Sequence, residues 1–390
     1  MKNRYYFFIT IFSILLSLLT INRLNSEVGL PSLGHDIAMV ILLFIVSILI
    51  IISPKSNSFQ VSKRLNALVI AISFSMLPIS IFSVKSTEFV SAILVLISLP
   101  LSFILGKKIC SIFHAFECPS IMLTIILLPA LVGFIWIFTM SSKFSLYAIG
   151  RDYIFSVIIF LPFIYFFRSS LIKFILILLF LFVALDSTKR TAVIIATVSL
   201  VLYIVLNFGQ LKRNKLIYIA AIIAVFSLPY IKINLQSNES FEIAFERLQN
   251  FDDESNEIRT DVYSRIINEV QEANIFEIFF GHGYNAITKD LFGHPAHNDY
   301  LEIIYDYGLV AFILYLIFVL TILFYAIKQV INFKGHRYDA YPILNSIVLF
   351  IILNMFNCIL INVVYIFVCT LVIGWSYQYT KIRCYEHKRI

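Results

Sequence analysis

Long apolar runs recur along almost the whole of this 390-residue chain, and they restrict its fold more than any other feature. A helix that crosses a bilayer needs about 20 mostly apolar residues. The runs at 5–22, 121–139 and 309–331 have this character, and 60% of all residues are hydrophobic while only 14% are charged. Soluble domains average about 25% charged residues. The sequence therefore predicts an all-α polytopic membrane protein.

The apolar runs predict about twelve transmembrane helices. The number of helices can be eleven to thirteen, because the 152–185 region can be divided in more than one way. The predicted helices lie near residues 4–22, 37–53, 66–84, 88–106, 120–140, 152–167, 170–185, 191–207, 215–231, 309–331, 341–359 and 362–380. We expect helices 1–9 within residues 1–231, a large helical water-facing loop at 232–308, and helices 10–12 with a tail at 309–390.

The distribution of Lys and Arg predicts the orientation, because these residues favour the cytoplasmic side in short loops. With a cytoplasmic N-terminus, the inner segments carry 19 of the 30 Lys and Arg residues, the short outer loops six and the long loop five. Both termini are then cytoplasmic, and loop 232–308 is periplasmic. That loop holds 15 acidic and five basic residues. The net charge of +7 thus comes from helix rims beside anionic lipid, which argues against a nucleic-acid partner.

Periodic apolar residues predict helices inside the polar loop. A spacing of four predicts a helix from about 256 to 273, and a similar stripe predicts one at 241–251. Gly281 and Gly283 predict a turn. Asn298 or Asp299 is expected to cap a helix that leads through Gly308 into the tenth span.

Three of the seven histidines fall in one 16-residue stretch of this loop: His282, His294 and His297. Solvated loop histidines are the simplest explanation. His297, however, directly precedes a predicted helix, whose N-terminal dipole disfavours a protonated imidazole and so favours a neutral ring that can act as a base. A zinc site from His294, His297 and an Asp is a weaker alternative, because HxxH outside an HExxH motif has little specificity.

Basic side chains on the predicted outer surface are the second indication of chemistry. Lys189 and Arg190 lie in a tight hairpin between two predicted spans, where a snorkelling pair neutralised by Asp186 is the competing explanation. Arg259 lies near the start of the 256–273 helix, where a salt bridge with a nearby acid competes, and Arg247 is a weaker candidate. An arginine fork pairs two oxygens at once, which suits a lipid diphosphate at the membrane surface.

Three motifs occur in a familiar order: STKR at 187–190, GHGYN at 281–285 and AHNDYLE at 296–302, followed by a hydrophobic span. Together they resemble the signature of the O-antigen ligase and O-antigen polymerase superfamily, over roughly residues 185–325. Two positions depart from the family pattern. The usual Pro before the glycine turn is absent from 276–280, and the aromatic residue after the second arginine is Tyr263 instead of Trp.

The resemblance implies a metal-independent glycosyltransferase of the membrane class C architecture, with no cofactor and with a glycan on undecaprenyl diphosphate as donor. It implies that Arg190 and Arg259 hold the diphosphate and that His297 takes the proton of the acceptor hydroxyl. Lys189, Arg247, His294 and Glu302 are further candidates for substrate binding.

Polymerisation of lipid-linked repeat units for O-antigen or capsule at the inner membrane is the leading hypothesis for function. A ligase that moves the finished glycan to lipid A-core is the alternative within the family. A flippase for lipid-linked oligosaccharides is the alternative from another class, disfavoured because the predicted spans hold few charges. The partners expected are the lipid-linked oligosaccharide and membrane lipid, and a chain-length regulator protein is left open.

Overall fold

The computed structural model describes residues 2–27, 36–53, 63–83, 89–116, 127–133, 135–136, 154–167, 169–186, 189–207, 219, 254–333, 337–357, 360 and 362–387. All regular elements in these ranges are helices. The α-helices are α1 Lys2–Glu27, α2 Asp36–Ile52, α3 Lys63–Ser83, α4 Phe89–Phe116, α5 Phe155–Ile158, α6 Ser170–Asp186, α7 Arg190–Leu206, α8 Glu254–Glu272, α9 Ile275–Phe280, α10 Asp299–Asn332, α11 Tyr341–Phe356 and α12 Val363–His387. Leu161–Phe166 and Arg337–Ala340 are 3₁₀-helices, and Ile287–Phe292 is a π-helix.

Five of the described helical segments are long and apolar enough to cross a bilayer: Tyr5–Asn22, Phe89–His114, Asp299–Asn332, Tyr338–Phe356 and Val363–Glu386. Three shorter apolar helices, α2, α6 and α7, accompany them. The chain is therefore a multi-pass membrane protein that is all-α in its described parts. The count of twelve helices stays a prediction, because the run at 215–231 lies almost wholly outside the described residues.

The predicted span at 152–167 has a different structure. Its residues form the single-turn helix α5 and then a 3₁₀-helix with Pro162 in its first turn. Phe163 and Phe166 pack edge-on against Trp375 of α12, and the Tyr165 hydroxyl donates a hydrogen bond to Asp339 at 2.6 Å. An apolar run does not by itself distinguish a spanning helix from a buried irregular segment. Here packing against α12 decides the outcome.

Helices α4 and α12 pack backbone to backbone. A side chain at Gly106 would overlap the carbonyl of Leu371, and one at Gly374 would overlap the carbonyl of Phe103. The hydroxyls of Ser102 and Thr370 also form a hydrogen bond across this contact. Small residues that allow close approach, together with interhelical hydrogen bonds, are what hold helices together in lipid.

Helix α4 extends ten residues beyond its predicted end at 106 and thereby buries Lys107. The Lys107 ammonium donates a hydrogen bond to Asn66 Oδ1 at 2.8 Å and lies 5.2 Å and 5.5 Å from the ring centres of Phe103 and Tyr377. Lysine in such a position requires partners, since an unpaired buried charge is costly. The predicted span ends at 106, whereas the structure places Lys107 inside a continuous helix.

Candidate active site

The predicted helix at 256–273 is confirmed as α8, Glu254–Glu272. Its buried residues Val262 and Ile266 form a small core with three segments that follow it, represented by Ile287, Ala296 and Tyr305. This core is separate from the main membrane core, so the polar segment has its own packing. Arg259 lies in the second turn of α8, but the structure does not describe its side chain. Arg247 and the predicted helix at 241–251 lie outside the described residues.

The predicted turn at 281–283 is also present, and it docks onto a kink in α10. Helix α9 ends at Gly281, and α10 is interrupted at Gly308, whose backbone is not helical (φ 77°, ψ 179°). The kink redirects the backbone after Tyr305 and Asp306. The carbonyl of Tyr305 accepts the His282 amide at 3.0 Å, and that of Asp306 accepts the Gly283 amide at 2.7 Å.

Gly281 and Gly308 allow the two chain segments to approach each other closely at this contact. A side chain at Gly281 would overlap the backbone of Asp306, and a side chain at Gly308 would overlap the backbone of Phe279. The His282 ring stacks on Tyr305, with ring centres 4.2 Å apart and planes inclined by 10°. The turn is therefore fixed to the start of the tenth predicted span by backbone hydrogen bonds, close approach and one ring stack.

Three buried carboxylates on the first turns of α10 each bind the backbone of a different segment. Asp299 accepts the amide of Leu360 at 3.1 Å, Glu302 accepts that of Ala296 at 2.9 Å, and Asp306 accepts that of Ile287 at 3.1 Å. Spacings of three and four place these residues on one helix face. This face organises the loop, and the sequence pattern alone did not indicate that its acids point inward.

His297 lies between two residues whose positions are fixed by hydrogen bonds. Ala296 before it is buried and held by Glu302, and Asn298 after it caps α10 by accepting the amides of Tyr300 and Leu301 at 3.0 Å and 3.3 Å. The predicted cap is thus confirmed and falls on Asn298. His297 itself has a left-handed backbone (φ 56°) and an exposed side chain. The structure presents this histidine at the surface of the loop, at a helix N-terminus.

A stack of side chains joins α8 to the loop. The Arg265 guanidinium lies 5.2 Å from the ring centre of Phe292, and the rings of Phe292 and His294 are 5.8 Å apart. Phe292 ends the π-helix Ile287–Phe292, a rare kind of element that is frequently found at functional sites. His294 is exposed.

Lys189 and Arg190 lie at the start of α7, as the N-cap and the first helical residue, and both are half-buried. Helix α6 ends at Asp186 and α7 begins at Arg190, as expected for the predicted short connection, whose residues 187 and 188 lie outside the described residues. His297 and Glu302 share the N-terminus of α10. The convergence of Arg190 and Arg259 on His297 stays a prediction.

Residues 174–316 match the family model described as O-antigen ligase, a segment that runs from α6 to the middle of α10 and covers rather more than a third of the chain. No curated protein matches the sequence. The matched segment contains all three motifs that carry the resemblance. Residues 174–316 are thus similar to the O-antigen ligase family, in agreement with the resemblance that these motifs carry.

Proposed function

We propose that this chain is a repeat-unit polymerase at the outer face of the bacterial plasma membrane, with both termini in the cytoplasm. It would transfer a glycan from undecaprenyl diphosphate to a hydroxyl of another lipid-linked repeat unit. In this proposal residues 1–231 and 309–390 form the membrane part, and residues 232–308 form the catalytic loop. The observation that carries the proposal is the exposed His297 held between Ala296 and Asn298 within the matched segment.

The reaction is a substitution at the anomeric carbon of the donor sugar. The acceptor hydroxyl oxygen forms a new bond to that carbon while the bond from the carbon to the diphosphate oxygen breaks, and the electron pair leaves with the diphosphate. His297 would accept the hydroxyl proton and later return it to water. A positioned base of this kind contributes about 10²–10⁴ in rate. Its exposed ring at the loop surface is accessible to an acceptor sugar.

Two arginines would stabilise the charge that develops on the leaving diphosphate. Arg190 has a suitable position because the amides of a helix N-terminus favour anions, and Arg190 is the first residue of α7. Arg259 would come from the N-terminal half of α8. Removing one preorganised donor of this kind typically costs about 10²–10³ in rate. Lys189, Arg247 and His294 are proposed to bind the donor or acceptor.

Glu302 is proposed to act on the reaction through His297. Its side chain is buried and one of its oxygens accepts the Ala296 amide, so it fixes the backbone that presents the histidine. Positioning catalytic groups to within a fraction of an ångström is worth orders of magnitude in rate. Contact between Glu302 and substrate would require the loop to move away from α10.

A ligase that transfers the glycan to lipid A-core is the second candidate, because the matched family is described by that activity. Deletion of the gene separates the candidates. Loss of a polymerase leaves lipid A-core with a single repeat unit, which is the result that we expect. Loss of a ligase leaves bare core with polymer still on the lipid carrier. Repeats trapped on the cytoplasmic leaflet would indicate a flippase and would contradict both.

Point variants test the residues in the same strain. His297→Ala and Arg259→Ala should abolish the ladder of chain lengths while expression stays normal. Asn268→Ala is the control, because its side chain is exposed and nine residues further along α8 place it about 180° around the helix from Arg259. We expect it to retain the ladder. A full ladder from His297→Ala or Arg259→Ala would show that the proposed role of that residue is wrong.

A further inference from the structure

Helix α9, with the sequence IFEIFF, presents large apolar side chains to its surroundings. None of its six residues is buried, and the exposed fractions of Ile275, Phe276, Phe279 and Phe280 are 76%, 60%, 43% and 41%. The rings of Phe276 and Phe280 lie 5.0 Å apart, so they form one patch. Apolar patches of this kind mark surfaces that contact a protein or a membrane. The surrounding loop is rich in acidic residues, so this patch differs from the rest of the loop in its apolar character.

The level of α9 relative to the bilayer is determined by its attachment to α10. Hydrogen bonds from the 282 and 283 amides, and the close approach of Gly281 and Gly308, join its C-terminal end to residues 305–308. The tenth predicted span begins at 309. Helix α9 also contacts α3, whose last turn is predicted to lie at the outer face. The apolar patch therefore lies at the level at which the tenth span is predicted to begin.

The lipid-facing surface of α10 begins just beyond this point. After the kink, Ile313 and Ile317 are 46% and 45% exposed, as expected of side chains that contact acyl chains. The one charged residue of α9 is held on its loop side: Glu277 accepts the Asn274 amide at 3.0 Å, and its carboxylate lies 3.9 Å from His282 Nε2. Apolar and charged groups of α9 are therefore segregated.

From this arrangement we infer that α9 is an interfacial anchor that inserts Ile275, Phe276, Phe279 and Phe280 into the outer leaflet. Segments with large apolar and aromatic side chains on one side lie at the boundary of headgroups and acyl chains. The occupant of the patch is bilayer lipid, because α9 is attached where the tenth span is predicted to begin and the exposed Ile313 and Ile317 of that span follow in the next turns. Such an anchor holds the turn at 281–283, and through α10 the His297 segment, at the membrane surface. The inference does not depend on the transferase activity.

Spin-label accessibility on the full-length protein tests the anchor. Phe276 is replaced by p-acetylphenylalanine, which resembles Phe in shape and takes a nitroxide label without any change to the native cysteines. The protein is reconstituted in nanodiscs of phosphatidylethanolamine and phosphatidylglycerol. Collisions of the label with oxygen, which concentrates in lipid, are compared with collisions with a water-soluble nickel complex. Ile275 provides a second position on the patch, and exposed Ser264 of α8 provides the control in water.

We expect the ratio of oxygen to nickel accessibility to be several-fold higher at positions 275 and 276 than at 264. Equal ratios at the three positions would place α9 in water and overturn the anchor. Protection of 275 and 276 from both reagents would overturn it as well, because the patch would then be covered by protein. Labelling both positions keeps the test valid if one variant folds poorly, since Ile275 is 76% exposed.

Discussion

Replacing Gly308 by alanine should detach the 281–283 turn from α10 without unfolding the membrane helices. Gly308 has φ 77° and ψ 179°, a combination that is essentially confined to glycine. The backbone of Phe279 also occupies the space where an alanine side chain would lie. The substitution therefore combines backbone strain with steric overlap at one contact, and both are relieved if the turn moves away.

The expected magnitude follows from these two contributions. Holding a non-glycine residue in such a conformation costs about 1–3 kcal/mol, and overpacking costs about 1–3 kcal/mol. Together they oppose docking by about 2–6 kcal/mol. Each 1.4 kcal/mol is about a tenfold change in an opening equilibrium, so hydrogen exchange of the docked amides should accelerate by about 30-fold or more.

Hydrogen–deuterium exchange measured by mass spectrometry reports this opening directly. The amides of His282 and Gly283 are protected by carbonyls of α10, so a peptide covering 281–287 should exchange faster in Gly308→Ala. Gly293→Ala is the matched control: Gly293 also has a positive φ (73°), but its added side chain would meet nothing within 4 Å. Wild-type exchange in Gly308→Ala, or equal acceleration in Gly293→Ala, would refute the docking argument.

Two further predictions concern the histidine support and the membrane core. Glu302→Ala leaves the buried Ala296 amide without its acceptor, at a cost of about 1–3 kcal/mol. We expect it to lower kcat by about 5–150-fold with little change in KM for the lipid-linked donor, whereas Glu302→Gln keeps an acceptor oxygen and most of the activity. A change confined to KM in steady-state assays would show that Glu302 binds substrate instead. Gly374→Ala should destabilise the α4–α12 contact by about 1–3 kcal/mol because its side chain overlaps Phe103. Thermal unfolding in detergent measures this loss, with Gly293→Ala as the control. An unfolding midpoint of Gly374→Ala equal to those of the wild type and of Gly293→Ala would contradict the close approach of α4 and α12.

Local patterns in the sequence predicted much of the loop. The four-residue spacing from Ile258 to Val270 predicted α8 to within two residues at its start and one at its end, and the AHND motif predicted a cap that the structure assigns to Asn298. Gly281 and Gly283 predicted the turn. These successes rest on short-range hydrogen bonding and periodicity, which depend on neighbours in the chain.

Features that depend on distant partners could not be predicted. The inward direction of Asp299, Glu302 and Asp306 is determined by amides from three other segments. The close contact of Gly281 with α10 depends on how the two segments pack in the folded chain. The run at 152–167 was assigned to a span because its apolarity is the same whether it contacts lipid or, as here, packs against α12.

In the proposed mechanism, Arg190, Arg259 and His297 line one pocket at the outer membrane surface, where both arginines hold the lipid diphosphate and His297 faces the acceptor hydroxyl. An electron cryomicroscopy structure of the protein in nanodiscs, with a diphosphate-linked oligosaccharide bound, tests it most directly. The account predicts diphosphate oxygens within hydrogen-bonding distance of both arginines and the anomeric carbon facing the side of the pocket where His297 lies. A donor bound elsewhere, or the three side chains on opposite faces of the bilayer, would contradict it.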